Sequence, residues 1–457
     1  MINFLFFKYL SLFLNGCRSL ALAKLLGPSE FGVYGSLITV QQYLSYFGLG
    51  VRESVVLTLA ETSEENKYKF AICSSGLAWS FFVGVFLLIV GSFLALQKIL
   101  DFNCFLVIII GVLSILNEIL VNIARSFNLL KAVGLYEVFY NLPPLICIFI
   151  FFDKTNIQII LESLVIGLLI SVSGYFILLK PWKTWVPSKN LLIKLVCLGI
   201  PLAINSAISL SLNSIYILFA NYEYDLKYVG KICLSLNICA FLYYALNSYA
   251  WARTSRSMAL QAKSNETVDK KMSIVFFDNL FQLGIVALSL VACGVSWSFN
   301  YLMLEYKDSG KFLILFVLLQ SYNFINFNNL NKFIINNKTY QIVFCYFGLL
   351  LALSILWFSK TITDLKTIIY CAIILNFFIS VLFNYVSKKN ANSRPIKKKI
   401  TKVFFAYPIV AATGFMCFGE LWVFIISFYL LFVLFPIVFN KSKLRDSCNL
   451  MPSAKQK

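Results

Sequence analysis

Residues Ala21–Gly35 read ALAKLLGPSEFGVYG, with apolar sequence on both sides of a Gly-Pro-Ser-Glu centre. Gly27 and Pro28 stop one helix, Ser29 is placed to cap a second, and Glu30 in the first turn complements that helix's dipole. The four residues therefore predict a tight helical hairpin. Gly32 and Gly35, three apart, leave a smooth strip on which a neighbouring helix can pack closely. With apolar runs of span length on each side, the hairpin predicts two successive crossings of a membrane.

The rest of the chain repeats this pattern. Of 457 residues, 60% are hydrophobic and 13% charged, and the mean hydropathy is +0.81. At roughly 20 apolar residues per crossing, spans are predicted at 4–26, 32–59, 73–96, 103–124, 137–152, 159–179, 191–219, 229–250, 273–302, 312–330, 339–358, 367–386, 403–418 and 421–439. The expected class is an all-α polytopic membrane protein with about 14 transmembrane helices. The polar stretches between spans reach only about 20 residues, too short for a soluble catalytic domain, which starts near 50. The first run extends to Leu26 and contains Arg18 and Lys24, unlike a cleavable signal.

Charge sets the expected orientation. Of 39 basic residues, 28 fall in segments on one side, 8 on the other, and Arg18, Lys24 and Arg52 lie within spans. By the positive-inside rule both termini are cytoplasmic, and this accounts for the net charge of +19 without nucleic acid as a partner. The basic inner connections divide the chain into an N-terminal six-helix lobe at 1–182, a second six-helix lobe at 183–390, and a helix pair with a basic tail at 391–457. Two such lobes around a central cavity are a common transporter plan. Histidine is absent and the 12 cysteines lie almost entirely in apolar runs with no CxxC pair. No cofactor or metal site is expected.

The stretch ALAKLLGPSEFGVYG, followed by YLSYFGLGVRE at Tyr43–Glu53, resembles the opening of the polysaccharide flippases, the Wzx-type O-antigen and oligosaccharide-lipid transporters of the multidrug/oligosaccharidyl-lipid/polysaccharide exporter superfamily. The Gly199-Ile200-Pro201 opening of the seventh span fits the same pattern. The resemblance implies a bacterial inner-membrane flippase that breaks no bond. Its cargo is expected to be an undecaprenyl-diphosphate-linked oligosaccharide, an O-antigen or capsule unit, moved from the cytoplasmic to the periplasmic leaflet by alternating access. It further implies membrane lipids, a polysaccharide polymerase and a chain-length regulator as partners. Two relatives in function stand as alternatives, a lipid II flippase and a cation-coupled drug exporter.

Ionisable residues inside a membrane mark functional candidates. On the first helix Lys8, Ser11, Asn15, Arg18 and Ser19 fall within about 110° at 100° per residue. On the second, Gln41, Ser45, Gly48 and Arg52 are spaced four, three and four apart, which puts them within about 60° of one another. A diphosphate needs cationic donors, which points to Arg18, Arg52 and Lys24. Lys24 can equally snorkel to the surface, and Arg52 can pair with Glu53 or with another helix. Asn15, Gln41 and Ser45 are expected as cavity polar groups, and Glu118 and Arg125 as a gate or an intrahelical ladder. Asn205, Ser209 and Tyr216 can meet sugar hydroxyls or bond between helices. Glu53 and Asp278 are the carboxylates placed for ion coupling.

Overall fold

The computed structural model describes residues 2–261 except 63–65, 128, 153–155 and 184–185, and segments between 291 and 376. Among the described residues the regular structure is entirely helical. The helices of more than ten residues are α1 (Ile2–Ser45), α2 (Val51–Glu61), α3 (Asn66–Leu96), α4 (Phe102–Ser126), α5 (Leu130–Ile150), α6 (Ile157–Leu179), α7 (Lys189–Glu223), α8 (Leu226–Gln261), α9 (Thr339–Phe358) and α10 (Leu365–Asn376), and a shorter helical run covers 309–317. Six segments, from Tyr68–Leu96 to Leu226–Tyr244, are long and apolar enough to cross a membrane. Most of the ninth expected span and all of the thirteenth and fourteenth lie outside the described residues.

Gly27 is the one non-helical residue inside α1, at φ 69° and ψ 172°. An L side chain rarely adopts that φ, so the glycine is required there. Pro28 already belongs to the second limb, where its fixed φ and missing N–H are tolerated. The turn is thus tighter than expected, and Ser29 lies inside the helix instead of capping it. The contacts with α8 establish the hairpin. Along α8 from Leu226 to Tyr244, the second limb meets it at Gly32 and then Gly35, whereas the first limb meets it at Gly16 and then Lys8. One limb runs parallel to α8 and the other antiparallel.

Small residues make this packing possible. A Cβ on Gly230 would stand 1.8 Å from the Pro28 carbonyl oxygen, and one on Gly32 would stand 2.3 Å from the Leu226 carbonyl oxygen. Backbone meets backbone at the hairpin, as small residues allow in membrane bundles.

The second expected span is not one helix. After Ser45 the chain makes a short 3-10 turn over Tyr46–Gly48, then passes through Leu49 at φ 50° and Gly50 at φ 68° before α2 begins. Gly50 approaches α7 so closely that its Cβ would lie 2.1 Å from the Gly199 carbonyl oxygen. Three of the four residues grouped on that span, Ser45, Gly48 and Arg52, nevertheless line one recess at the break, whereas Gln41 bonds to Ser114 on α4. The fifth span corrects in the other direction. It starts at Leu130 and carries Pro143 and Pro144 inside a helix, which a membrane bundle accommodates when neighbours satisfy the freed carbonyls.

The distribution of polarity is that of a protein in lipid. On α3, Ser74, Ser75 and Ser80 are buried while Phe82, Phe86, Ile89 and Phe93 are exposed, a stripe at helical spacing turned outward. An outward apolar stripe of this kind is expected against lipid and would be a liability in water. Gly230→Val is expected to cost several degrees of thermal stability in detergent-solubilised protein, because the atom it meets is backbone. Gly348→Ala, where a Cβ meets nothing within 4 Å, should change it little; equal melting shifts would overturn the close-packing account.

Candidate functional site

Polar groups on α1, α4 and α5 form a continuous chain. The Lys8 ammonium donates to Glu137 Oε2 at 2.5 Å and Oε1 at 2.6 Å, and to the Tyr244 hydroxyl on α8 at 2.7 Å. Arg125 on α4 approaches the same carboxylate at 3.8 Å. One turn along, Ser11 donates to the Glu137 carbonyl, and Asn141 Nδ2 donates to Ser11 Oγ at 2.9 Å. The next turn holds Arg18, which donates to Asn141 Oδ1 at 3.3 Å and to Asn15 Oδ1 at 2.6 Å. The stripe predicted on the first helix is thus matched by Glu137 and Asn141, four apart and on one face of α5.

Arg18 differs from the other interior cations. Lys8, Arg52 and Arg125 each have a carboxylate within ion-pair distance. The partners of Arg18 among the described residues are two neutral amides, and its Nε is buried with no acceptor. A guanidinium in hydrocarbon without a counterion costs at least ~2.5 kcal/mol at the centre of a span. That makes Arg18 a receptive position for an anion.

The second cluster sits at the break between α1 and α2. Arg52 bonds to both Glu53 and Glu118, so a surplus negative charge remains with two acids on one base. Ser45, Tyr46, Gly48, Gly50, Ser80 and Ile115 join these three in lining a small open recess. Trp79 donates to the Gly48 carbonyl at 3.1 Å, satisfying one of the carbonyls the break frees. Glu53 Oε2 is buried without a partner.

The remaining expected residues are scattered. Lys24 is exposed beside the hairpin turn. Gln41 donates to Ser114 on α4 at 3.0 Å, and Ser45 bonds to its own helix at the Gln42 carbonyl. Arg125 Nη1 reaches Asn122 at 3.4 Å, one turn back on α4. On α7 Ser209 is exposed and Asn205 half-buried, with Asn205 Oδ1 lacking an acceptor role. Tyr216 is 1% exposed and packs its ring 5.3 Å from that of Phe316, in the core instead of on an open face. Asp278 lies outside the described residues. Glu137, Asn141 and Tyr244 were not anticipated. The signal for the first two was their spacing of four, hidden because the apolar run alone put the span start at Glu137.

The sequence matches no protein-family model and no curated protein. The fold does have relatives among solved structures. The lipid II flippase MurJ in an inward closed conformation aligns over 96% of this chain and 99% of its own, at 15% identity and a TM-score of 0.58. A eukaryotic MATE transporter aligns over 87% of this chain and 95% of its own, at 14% identity and a TM-score of 0.60. A multidrug resistance MATE family transporter of the MOP superfamily, facing inward, aligns over 86% and 96% at 14% identity and a TM-score of 0.55. At these identities the likeness establishes the fold: this is a multi-pass helical membrane protein with the architecture of the MOP-superfamily transporters.

Arg52→Ala and Glu118→Ala should each destabilise the protein, and the double variant should cost less than their sum. The side chains are 24% and 36% exposed, so solvent screening holds the expected coupling to about 1 kcal/mol. A thermal double-mutant cycle measures it, and strict additivity would dismiss the pair as structural.

Proposed function

We propose that the protein is a flippase for a polyprenyl-diphosphate-linked oligosaccharide, an O-antigen or capsule unit carried across the bacterial inner membrane from the cytoplasmic to the periplasmic leaflet. The observation that carries this reading is Arg18, an interior cation held by neutral groups with a buried donor to spare. A diphosphate left bare in an apolar medium is prohibitively costly. Arg18 offers a charge-assisted donor at a point where the protein itself supplies no anion.

In this mechanism two lobes, 1–182 and 183–390, rock around the cavity between them. The headgroup sits against the first lobe at Arg18, the sugars occupy the cavity, and the prenyl tail stays in lipid. Asn15 and Asn141 hold the guanidinium in position. Arg52 contributes only after Glu118 releases it, and Lys24 acts at the mouth beside the hairpin. Glu53 and Asp278 are the carboxylates for ion coupling, while Glu118 and Arg125 serve as gating groups. Asn205 and Ser209 offer hydrogen bonds to sugar hydroxyls. An inside-negative potential adds about 2.3 kcal/mol per charge per 100 mV in favour of moving an anion outward.

Lipid II is the second reading of the cargo, since the MurJ likeness spans nearly the full length of both chains and lipid II also presents a diphosphate. A cationic drug is less favoured, because the charge that lacks a counterion is itself positive.

In a host whose copy carries Arg18→Ala, intact lipid-linked units are expected to accumulate on the cytoplasmic leaflet, with flipping down at least tenfold and membrane expression unchanged. Arg18→Lys should restore part of it. Leaflet-resolved analysis of the lipid-linked pool checks this. Normal outward appearance of the units in Arg18→Ala would remove the headgroup assignment, and rescue of a lipid II flippase depletion would move the cargo to lipid II.

A further inference from the structure

The side chain of Lys8 is almost wholly buried, at 4% exposure, where α1, α5 and α8 meet. An ammonium has three donors, and here each has an oxygen: the two of Glu137 and the hydroxyl of Tyr244. The carboxylate belongs to the same six-helix set as Lys8, and the phenol belongs to α8, across the boundary between the proposed lobes.

We infer that Lys8 is a clasp between the lobes, which keeps its ion pair with Glu137 through the transport cycle while its bond to Tyr244 breaks as the lobes part. The two bonds differ in what breaking them leaves behind. Removing Glu137 would strand a buried ammonium without a counterion, which is strongly unfavourable. Removing Tyr244 exchanges a neutral phenol for water. The phenol is already reachable, since Tyr244 is 44% exposed.

The packing around the clasp permits the motion. About two turns nearer the hairpin on α1, one contact between the limb and α8 is Gly16 against the edge of the Phe241 ring, which is apolar and non-directional. At the far end the backbone contact of Pro28 with Gly230 is rigid by comparison. Gly230 and Tyr244 are separated by about 21 Å along α8 at 1.5 Å per residue. Release of the clasp therefore opens the end remote from Gly27 while the hairpin contact serves as the pivot.

The inference rests on the alternating-access part of the proposed function but not on its cargo. The test uses the full-length chain in vesicles of phosphatidylethanolamine and phosphatidylglycerol without cargo, with native cysteines replaced. Spin labels are carried at Phe6→Cys on α1 and Ile193→Cys on α7, both exposed positions. Tyr244→Phe should shift the distance distribution toward the longer separation, changing the open-to-closed ratio on the order of tenfold, as for loss of a hydrogen bond to a charged group. In a Lys8→Met, Glu137→Gln background, which removes the charges together, adding Tyr244→Phe should shift nothing further. A distribution unchanged by Tyr244→Phe would overturn the clasp, as would an equal shift in the charge-free background. A shift confined to the charged background, in a protein that fails to flip lipid-linked sugar, would leave the clasp standing and sink the cargo assignment alone.

Discussion

A cation inside a bilayer has to find an anion, water or a way to the surface, and the arrangement of the first five helices follows from this constraint. Lys8 is placed where α5 brings Glu137, and Arg125 on α4 closes on the same carboxylate. Arg52 is held between Glu53 and Glu118 at the point where the second span breaks. Lys8–Glu137, Arg125–Glu137 and Arg52–Glu118 each tie two helices, whereas Arg52–Glu53 lies within α2, so the first three pairings also bear on how the helices stand. The hairpin at Gly27 is the covalent part of the same solution. By turning the chain within one residue, it lays both limbs of α1 along α8 and puts the polar stripe of the first limb against α5.

The two clusters carry opposite surplus charge. Around Glu137, the cations Lys8, Arg125 and Arg18 leave two positive charges in excess, whereas Arg52 with Glu53 and Glu118 leaves one negative charge. A low-dielectric interior amplifies such differences. An anion is attracted to the first cluster and a cation to the second. The break at Tyr46–Gly50 sets these two regions apart within a single span and brings Gly50 to the backbone of α7. The Arg52 cluster thus lies next to the close contact between Gly50 and Gly199 of α7.

Much of the amino-terminal helices was legible in the order of residues. The Gly-Pro turn, the polar stripe on the first helix and the value of Gly32 and Gly35 for close packing all follow from local rules, because helical periodicity and backbone conformation are decided over a few residues. Hydrophobic runs of span length settled the class of the protein for the same reason. Local rules also misplaced two features. The helical wheel over 41–52 assumed an unbroken helix, while Leu49 and Gly50 adopt left-handed conformations held in place by contacts with α3 and α7. The start of α5 was set too late, because apolarity marks the lipid-exposed length of a helix and not its polar first turns.

The chain by itself determined that it lives in a membrane, that its first two helical limbs form a hairpin, and that cations lie in apolar sequence near its amino terminus, since composition, turn chemistry and spacing act locally. Only the tertiary structure decided which of those cations are spoken for. Glu53 stands beside Arg52 in the sequence, but that α4 adds Glu118 there, while Arg18 meets only the amides of Asn15 and Asn141 among the described residues, follows from the tertiary structure. Whether a buried charge is neutralised depends on groups that folding brings from far along the chain, and Coulomb energy is set by distance in space.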